Sequence, residues 1–474
     1  MRLNIGMVFE VNLNSENLFL DELILETKKI FQENAVGEFL GFILENIDKQ
    51  LCDSLVRASS DAQMPMSMRA FGTCCVSPHF RRYRREKKKL MTGVGRVPYE
   101  CNRLRCQNCG KSIVPLREIL ALKKYQSESQ EFQKLACETV VQQSFRRSCK
   151  HLTQIGGIQI TRMKLHRILS RANADKIDAC TRGKDIHYLI ADGTGFPEWK
   201  PTKTEPEGQP TQAGPTEKKK AAQTKERKSD LKVVIALTQK HEMIPVGGWA
   251  KRSWRHVAHT IGKANNHPKL MPKPIADILV CDGEEALIAA MGPLAKDVQR
   301  CQWHLTYEFF HLMKYQEKCE TELSRDLTSQ LYEAVKLGVP GDPGPESKLR
   351  LEVAIFEAEK SLDKVIVELK ERGFLIAATY VENAKAKLFT FLKYWIQTGE
   401  VAPKVSSRIE RLMRELGRRI KKIGFNWSAK GAARITRILL KIIAGKNLWE
   451  NEWKEKLNLK NAVSLSLKSV YLVR

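Results

Sequence analysis

Hydrophobic positions along the chain follow two different periods, and the switches between them divide it. Leu18, Leu20, Leu23 and Ile24, then Phe39, Ile43, Leu44, Ile47 and Leu51, recur at roughly helical spacing. They predict a helical amino-terminal region over 1–68, a packing or dimerisation element with no visible chemistry. Residues 128–183 are again helical in pattern. Within them 144–155 form one helix, Gly156-Gly157 a turn, and 161–172 a second helix with Thr161 as its cap.

From residue 184 the period changes. Residues 186–191 make a short apolar strand ending at Asp192-Gly193, and 197–230 are a Pro/Gln/Lys-rich tract that reads as a solvated loop. Strands are expected at 231–237 and 243–249, a helix at 254–264, a strand at 276–281 ending at Asp282-Gly283, and a helix at 284–291. A further strand over 298–303 leads into a helix through Tyr315. Residues 316–400 are helical and charged, and 401–474 open with an amphipathic basic helix at 407–422. The order is that of an α/β core, first part 184–315, interrupted by an all-helical insertion and resumed after it.

Charge narrows the partner. The 474 residues hold 80 Lys and Arg against 54 Asp and Glu, a formal net charge of +26, with 42% hydrophobic residues to build more than one core. Such an excess repels itself unless a polyanion is near, and nucleic acid is the natural one. A ribosome-associated or membrane-surface protein is the bland alternative. No apolar run is long enough to span a bilayer and the first residues lack the features of a signal peptide, so a cytoplasmic location is expected.

The 12 cysteines are irregularly spaced, which favours reduced thiols or a metal over a disulfide framework. The basic run 81–89 lies between Cys74-Cys75 and Cys101, Cys106 and Cys109, in a segment bounded at 69–127. Cys106-x2-Cys109-Gly110 has the shape of a zinc knuckle. Cys101 and His79 are candidate further ligands, because adjacent Cys74-Cys75 do not make a second well-spaced pair. Plain thiols compete with zinc here.

Asp192 and Asp282 each close an apolar strand and each precede a glycine. Carboxylates gathered at strand ends repel unless a cation lies between them, and hard divalent ions bind through oxygen. Either aspartate alone would be read as a turn residue. In the basic helix, Arg411, Arg414, Arg418 and Arg419 offer phosphate contacts, while periodicity leaves Glu410 and Glu415 in competition for an inward role. Cys301 and His304 are expected to position rather than react. Arg162, Lys164, Arg167 and Arg171 line the helix 161–172, either as a DNA reader or as the solvated face of a helical hairpin.

Taken in order, the segments resemble one family. They are Ala191-Asp192-Gly193-Thr194-Gly195-Phe196, Val280-Cys281-Asp282-Gly283-Glu284-Glu285-Ala286-Leu287, Arg300-Cys301-Gln302-Trp303-His304-Leu305, the helix 406–419, and Gly424-Phe425-Asn426-Trp427-Ser428-Ala429-Lys430-Gly431-Ala432. The set, spanning 186 to about 440, resembles the insertion-sequence transposases of the Mutator-like superclass. That resemblance implies an RNase H-like core with catalytic Asp192, Asp282 and Glu410 holding Mg2+ or Mn2+. It implies Cys301 and His304 as a Cys-x2-His signature, an amino-terminal region binding double-stranded DNA at the element's ends, and a nucleoid-associated homo-oligomer. The cysteines depart from the zinc ribbon such a protein would carry. A transposase-derived DNA-binding regulator and a nuclease on the same fold are the rival expectations.

Overall fold

The computed structural model describes residues 35–60, 74–75, 78–120, 122, 125–172, 185–198, 228–265, 274–422, 427–444 and 447–457. Leu18 to Ile24, most of the tract 197–230, Gly424 to Asn426 and the tail after 457 lie outside them. The chain divides into two compact units, Met1–Ala172 with Lys456–Arg474, and Asn173–Glu455.

In the first unit, helix α1 (Val36–Ser60) packs on an antiparallel hairpin of strands β1 (Phe80–Thr92) and β2 (Gly95–Cys106), joined by the two-residue turn Gly93-Val94. A short strand β3 (Ser112–Ile113) pairs only with the end of β2. The basic run 81–89 is therefore a β-strand, which the sequence did not predict. Its side chains are almost all exposed, so it lacks the alternation that betrays a strand. Lysines and arginines along such an edge discourage pairing with another chain.

The other edge of β2 is covered by α1, running in the same direction. Backbone N–H groups of Glu100 and Asn102 donate to the carboxylates of Glu45 and Asp48, at 2.8 Å each. A Cβ on Gly41 would lie 2.0 Å from the Pro98 carbonyl, and one on Gly37 2.6 Å from that of Arg96. Helix and strand thus touch once per helical turn, every three or four helical residues and every second strand residue, because one turn of helix and two residues of strand advance by similar lengths, about 5 to 7 Å.

After a one-turn helix α2 (Pro115–Ile119) come three helices, α3 (Gln130–Gln142), α4 (Phe145–Gly156) and α5 (Arg162–Arg171). Ser129, Ser144 and Thr161 cap them with side-chain oxygens, and Gly157 turns the chain at φ +60°. The predicted helix, glycine turn and capped second helix are present. Phe132, Val140, Leu152, Leu165 and Ile168 fill the space between them.

The second unit is built on a five-stranded mixed sheet of β4 (Tyr188–Pro197), β5 (Lys228–Leu237), β6 (Met243–Ala250), β7 (Ala276–Cys281) and β8 (Ala295–Arg300), in the spatial order β6-β5-β4-β7-β8. Strand β5 runs antiparallel to both β4 and β6; β4, β7 and β8 are mutually parallel. Helices α6 (Trp254–Ala264) and α7 (Glu285–Met291) connect β6 to β7 and β7 to β8, and Trp254, Val257, Leu287 and Met291 pack on the sheet. The core is thus α/β, as expected.

Two boundaries differ from expectation. Strand β8 starts and ends three residues early, and Cys301 opens helix α8 (Gln302–Tyr315) instead of lying in the strand. The Cys301 N–H bonds the Cys281 carbonyl at 2.8 Å while its backbone turns into the helix. Strand β4 does not stop at Asp192: pairing with β5 continues to Pro197, and only pairing with β7 ends, at Ile190.

The helical stretch 316–400 consists of α9 (Thr321–Val335), α10 (Pro345–Glu371), α11 (Leu375–Lys385) and α12 (Thr390–Thr398). The chain then returns to the sheet through α13 (Ser407–Ile420), which packs against β4, and α14 (Ala429–Ala444), which lies on β6; α15 (Leu448–Leu457) follows. A Cβ on Gly248 of β6 would meet Thr436 of α14 at 2.3 Å, so that contact requires glycine. No helix among the described residues is long and apolar enough to cross a membrane.

Candidate active site

Beyond Ile190 and Val280, the last paired residues, β4 and β7 diverge. Asp192 and Asp282 each lie two residues past that pair, side by side on adjacent parallel strands. Asp192 accepts a 2.6 Å bond from the Gly193 N–H, and Asp282 one of 3.0 Å from the Glu284 N–H. Gly283 has φ +98°, and a Cβ there would lie 1.6 Å from the Arg300 guanidinium, so glycine is required after Asp282. Arg300 in turn donates to the Gly283 carbonyl at 3.2 Å and holds the turn.

Helix α13, packed against β4, brings Glu410 within electrostatic range of Asp192. Burial raises the Asp192 carboxyl from the usual 3.8 to about 6; the charges of Asp282 and Glu410 add to the rise, and His304 and the Gly193 N–H oppose it. The acids are thus close enough to act on one another. Glu415 is not part of this group: it is turned outward to Arg418 at 3.0 Å.

Cys301, His304 and Glu410 offer donor atoms all within 4.8 Å of one another. His304 Nδ1 is 3.6 Å from Glu410. Cys301 is fully buried, and its desolvation is outweighed by bonds from His304 and from Ser406, which push the thiol toward thiolate; burial of His304 is likewise outweighed by Cys301, Glu410 and Asp192, which lift it to about 9. A position at the start of α8 favours the thiolate further.

Ser406 sits among all three. Its hydroxyl lies 3.3 Å from Cys301 Sγ, 3.2 Å from His304 Nδ1 and 3.0 Å from Glu410 Oε1. A hydroxyl in the middle leaves a bonded positioning network rather than an ion cavity. Ser406 is the cap by position, yet its side chain makes no capping bond. The signal was a serine one turn before a glutamate, with no periodicity to single it out.

The basic residues divide. On α13, Arg411, Arg414 and Arg418 are exposed, but Arg419 is only 2% exposed, its guanidinium 4.8 Å from the centre of the Trp427 ring. Burial, with Arg418 alongside, lowers it to about 10. Arg419 is therefore a packing residue, not a surface phosphate contact. On α5, Arg162 and Arg167 are exposed, whereas Lys164 and Arg171 both reach the buried carboxylate of Glu128, at 3.5 Å each.

In the first unit Cys74, Cys75, Cys106 and Cys109 bring four sulfurs within 4.8 Å of one another. Neighbouring sulfurs are 3.9 Å (Cys74 to Cys75) and 3.8 Å (Cys75 to Cys106) apart. Thiolates held at about 2.3 Å around a tetrahedral zinc would be about 3.8 Å apart, so the group could bind such a metal. The Cys106 thiol is raised by burial, but N–H groups of Cys109, His79 and Asn108 and the Cys74 thiol bring it down to about 6, a thiolate ready to ligate. The expected ligand set is corrected in two ways. Cys101 is buried with Leu44, Val97, Val114 and Leu116, its thiol facing the Glu86 carbonyl, and His79 reaches Cys106 through its backbone. Adjacent Cys74 and Cys75, not Cys101 or the His79 ring, complete the four-sulfur group.

No protein-family model matches the chain, and no curated protein matches it.

Proposed function

We propose that the protein is a DDE-type DNA transposase, with an RNase H-like core in which Asp192, Asp282 and Glu410 hold Mg2+ or Mn2+. The observation that carries this reading is Asp192 and Asp282 side by side where β4 and β7 part, at the carboxyl end of parallel strands, with Glu410 near enough for its charge to act on Asp192. The sheet order β6-β5-β4-β7-β8, antiparallel on one side and parallel on the other, supports it, as does the return of α13 to the sheet after the helical stretch.

The chemistry of the donors suits hard divalent ions, since all three are carboxylates, one of them raised by burial and by its neighbours' charge; among the described residues the closer-knit donor group is Cys301, His304 and Glu410. Bound there, such ions would activate water or a 3′-hydroxyl and stabilise the charge that develops on the phosphate. Asp192, Asp282 and Glu410 would together hold the ions. Ser406 and His304 fix the Glu410 rotamer. Arg411 and Arg414, exposed on the same helix, hold the DNA backbone, and Arg162 and Arg167 of the capped helix pair contact double-stranded DNA at the element's ends. Cys74, Cys75, Cys106 and Cys109 would hold Zn2+. The protein acts as a homo-oligomer on two DNA ends in the nucleoid.

The test uses the full chain with DNA carrying the sequences that flank its gene. Cleavage at those ends and joining to a target plasmid are expected in Mg2+, and Asp192→Asn abolishes both. Cleavage without joining would make the protein a nuclease on this fold; end binding with neither would make it a regulator.

A further inference from the structure

Helix α8 starts beside the acidic group and bears an aromatic side chain at every fourth residue: Trp303, Tyr307, His311 and Tyr315. The rings touch in sequence. Trp303 and Tyr307 stack at 5.0 Å with planes 10° apart, Tyr307 meets His311 edge-on at 4.6 Å, and His311 stacks on Tyr315 at 5.8 Å and 6°. Aromatic rings usually earn their place by burial. Here Trp303, Tyr307 and Tyr315 remain 47%, 52% and 67% exposed, and the packing of α8 falls to Leu305, Phe309 and Met313 on its other side.

The acids nearby are occupied elsewhere. Glu308 accepts from the Tyr380 hydroxyl at 2.9 Å, and Glu317 from the backbone N–H groups of Ile376 and Ala377. The Lys314 ammonium lies 5.8 Å from the Tyr315 ring. The stripe is thus aromatic, accessible and cationic at its far end.

We propose that this ladder is a stacking platform for an unpaired DNA strand at the acidic site, an inference that rests on the DNA-processing reading of that site. Aromatic side chains bind the faces of bases, and those faces are free only where the strand is unpaired. Successive rings stand 5.0, 4.6 and 5.8 Å apart, more than the about 3.4 Å repeat of a strand within a duplex. A strand that follows the rungs must be stretched, which an unpaired strand permits and a duplex resists. The ladder is continuous with the acids: the Trp303 ring meets His304 edge-on at 4.8 Å, and His304 contacts Glu410.

The experiment measures binding of the full chain to fluorescein-labelled oligo(dT) and to a duplex of equal length, both in EDTA so that nothing is cleaved. Trp303→Ala with Tyr307→Ala is expected to weaken oligo(dT) binding about tenfold or more, since each base–ring stack is worth that order. Duplex binding should stay within about twofold, and Trp303→Phe with Tyr307→Phe should retain most single-strand affinity. Equal loss on both DNAs overturns the proposal. So does unchanged oligo(dT) binding, and a changed sedimentation coefficient in that case would make the ladder a contact between copies of the chain. Because no catalysis is read, a selective loss in a protein that never cleaves DNA would sink the transposase reading and leave the platform standing.

Discussion

Ser406 donates its hydroxyl to Glu410 Oε1 at 3.0 Å, and the same oxygen, 3.2 Å from His304 Nδ1, ties the first residues of α13 to the Cys301 and His304 end of α8. The hydroxyl is buried, so its bonds are not exchanged for water. Groups that orient a metal-binding carboxylate typically matter about 10- to 100-fold. Ser406→Ala should lower metal-dependent cleavage by that order and raise the Mn2+ concentration needed for half-maximal rate, while Ser406→Thr restores much of it. An alanine variant with an unchanged Mn2+ requirement would show that Glu410 is held by other means.

Glu410→Gln should abolish cleavage, whereas Glu415→Gln, which only releases Arg418 on the surface, should leave it within about threefold. Equal loss in both variants would remove Glu410 from the site.

Clustered acids that lack a cation oppose folding, and neutralising one relieves the repulsion. In EDTA, Asp282→Asn should therefore melt higher than the unmodified chain. Adding Mn2+ should raise the melting temperature of the unmodified chain and do much less for the variant. A lower melting temperature for Asp282→Asn in EDTA would mean that the carboxylate serves the fold through its bond from the Glu284 N–H.

The four-sulfur cluster predicts about one Zn2+ per chain by elemental analysis of protein purified without chelator. Cys74→Ser and Cys106→Ser should each lose it. Cys101→Ser should keep it, because that thiol lies apart among apolar side chains. Zinc lost from the Cys101 variant alone would restore the ligand set read from sequence spacing.

Glu86 is the single acid in the basic strand. Arg103 chiefly, with Lys88 and Arg84 after it, outweighs its partial burial and holds its carboxyl down to about 2 from the usual 4.5. A depressed acid stabilises the fold above its unfolded value, and that stability fades as pH falls from about 4.5 toward about 2. Glu86→Gln should lower the melting temperature at pH 7, and the gap to the unmodified chain should close as pH falls through that window. A gap that does not depend on pH would assign the loss to packing.

The elements with a clear hydrophobic period were legible: β5, β6, β7, α6 and the helical stretch lie where apolar spacing put them. Strand β1 was not, because a strand exposed on nearly all its side chains carries no period. The place of Asp192 and Asp282 followed from twin Asp-Gly ends, but the extension of β4 past Asp192 depends on which neighbour it pairs with. Arg419 was readable in hindsight, since it stands three residues after Leu416 and seven after Leu412, in line with the buried stripe of α13. The pairing of Cys74-Cys75 with Cys106 and Cys109 is a long-range contact across 31 residues, and spacing alone does not encode it.

The lie of α1 along β2 also has a bearing on how the protein is made. Chains leave the ribosome amino end first, so the helix that shields the strand is synthesised before the strand it shields. Glu45 and Asp48 are waiting when the N–H groups of Glu100 and Asn102 arrive. The nascent hairpin therefore meets its own guard before it meets another nascent chain, and a gene shortened from its 5′ end would yield a hairpin that seeks that guard in its neighbours.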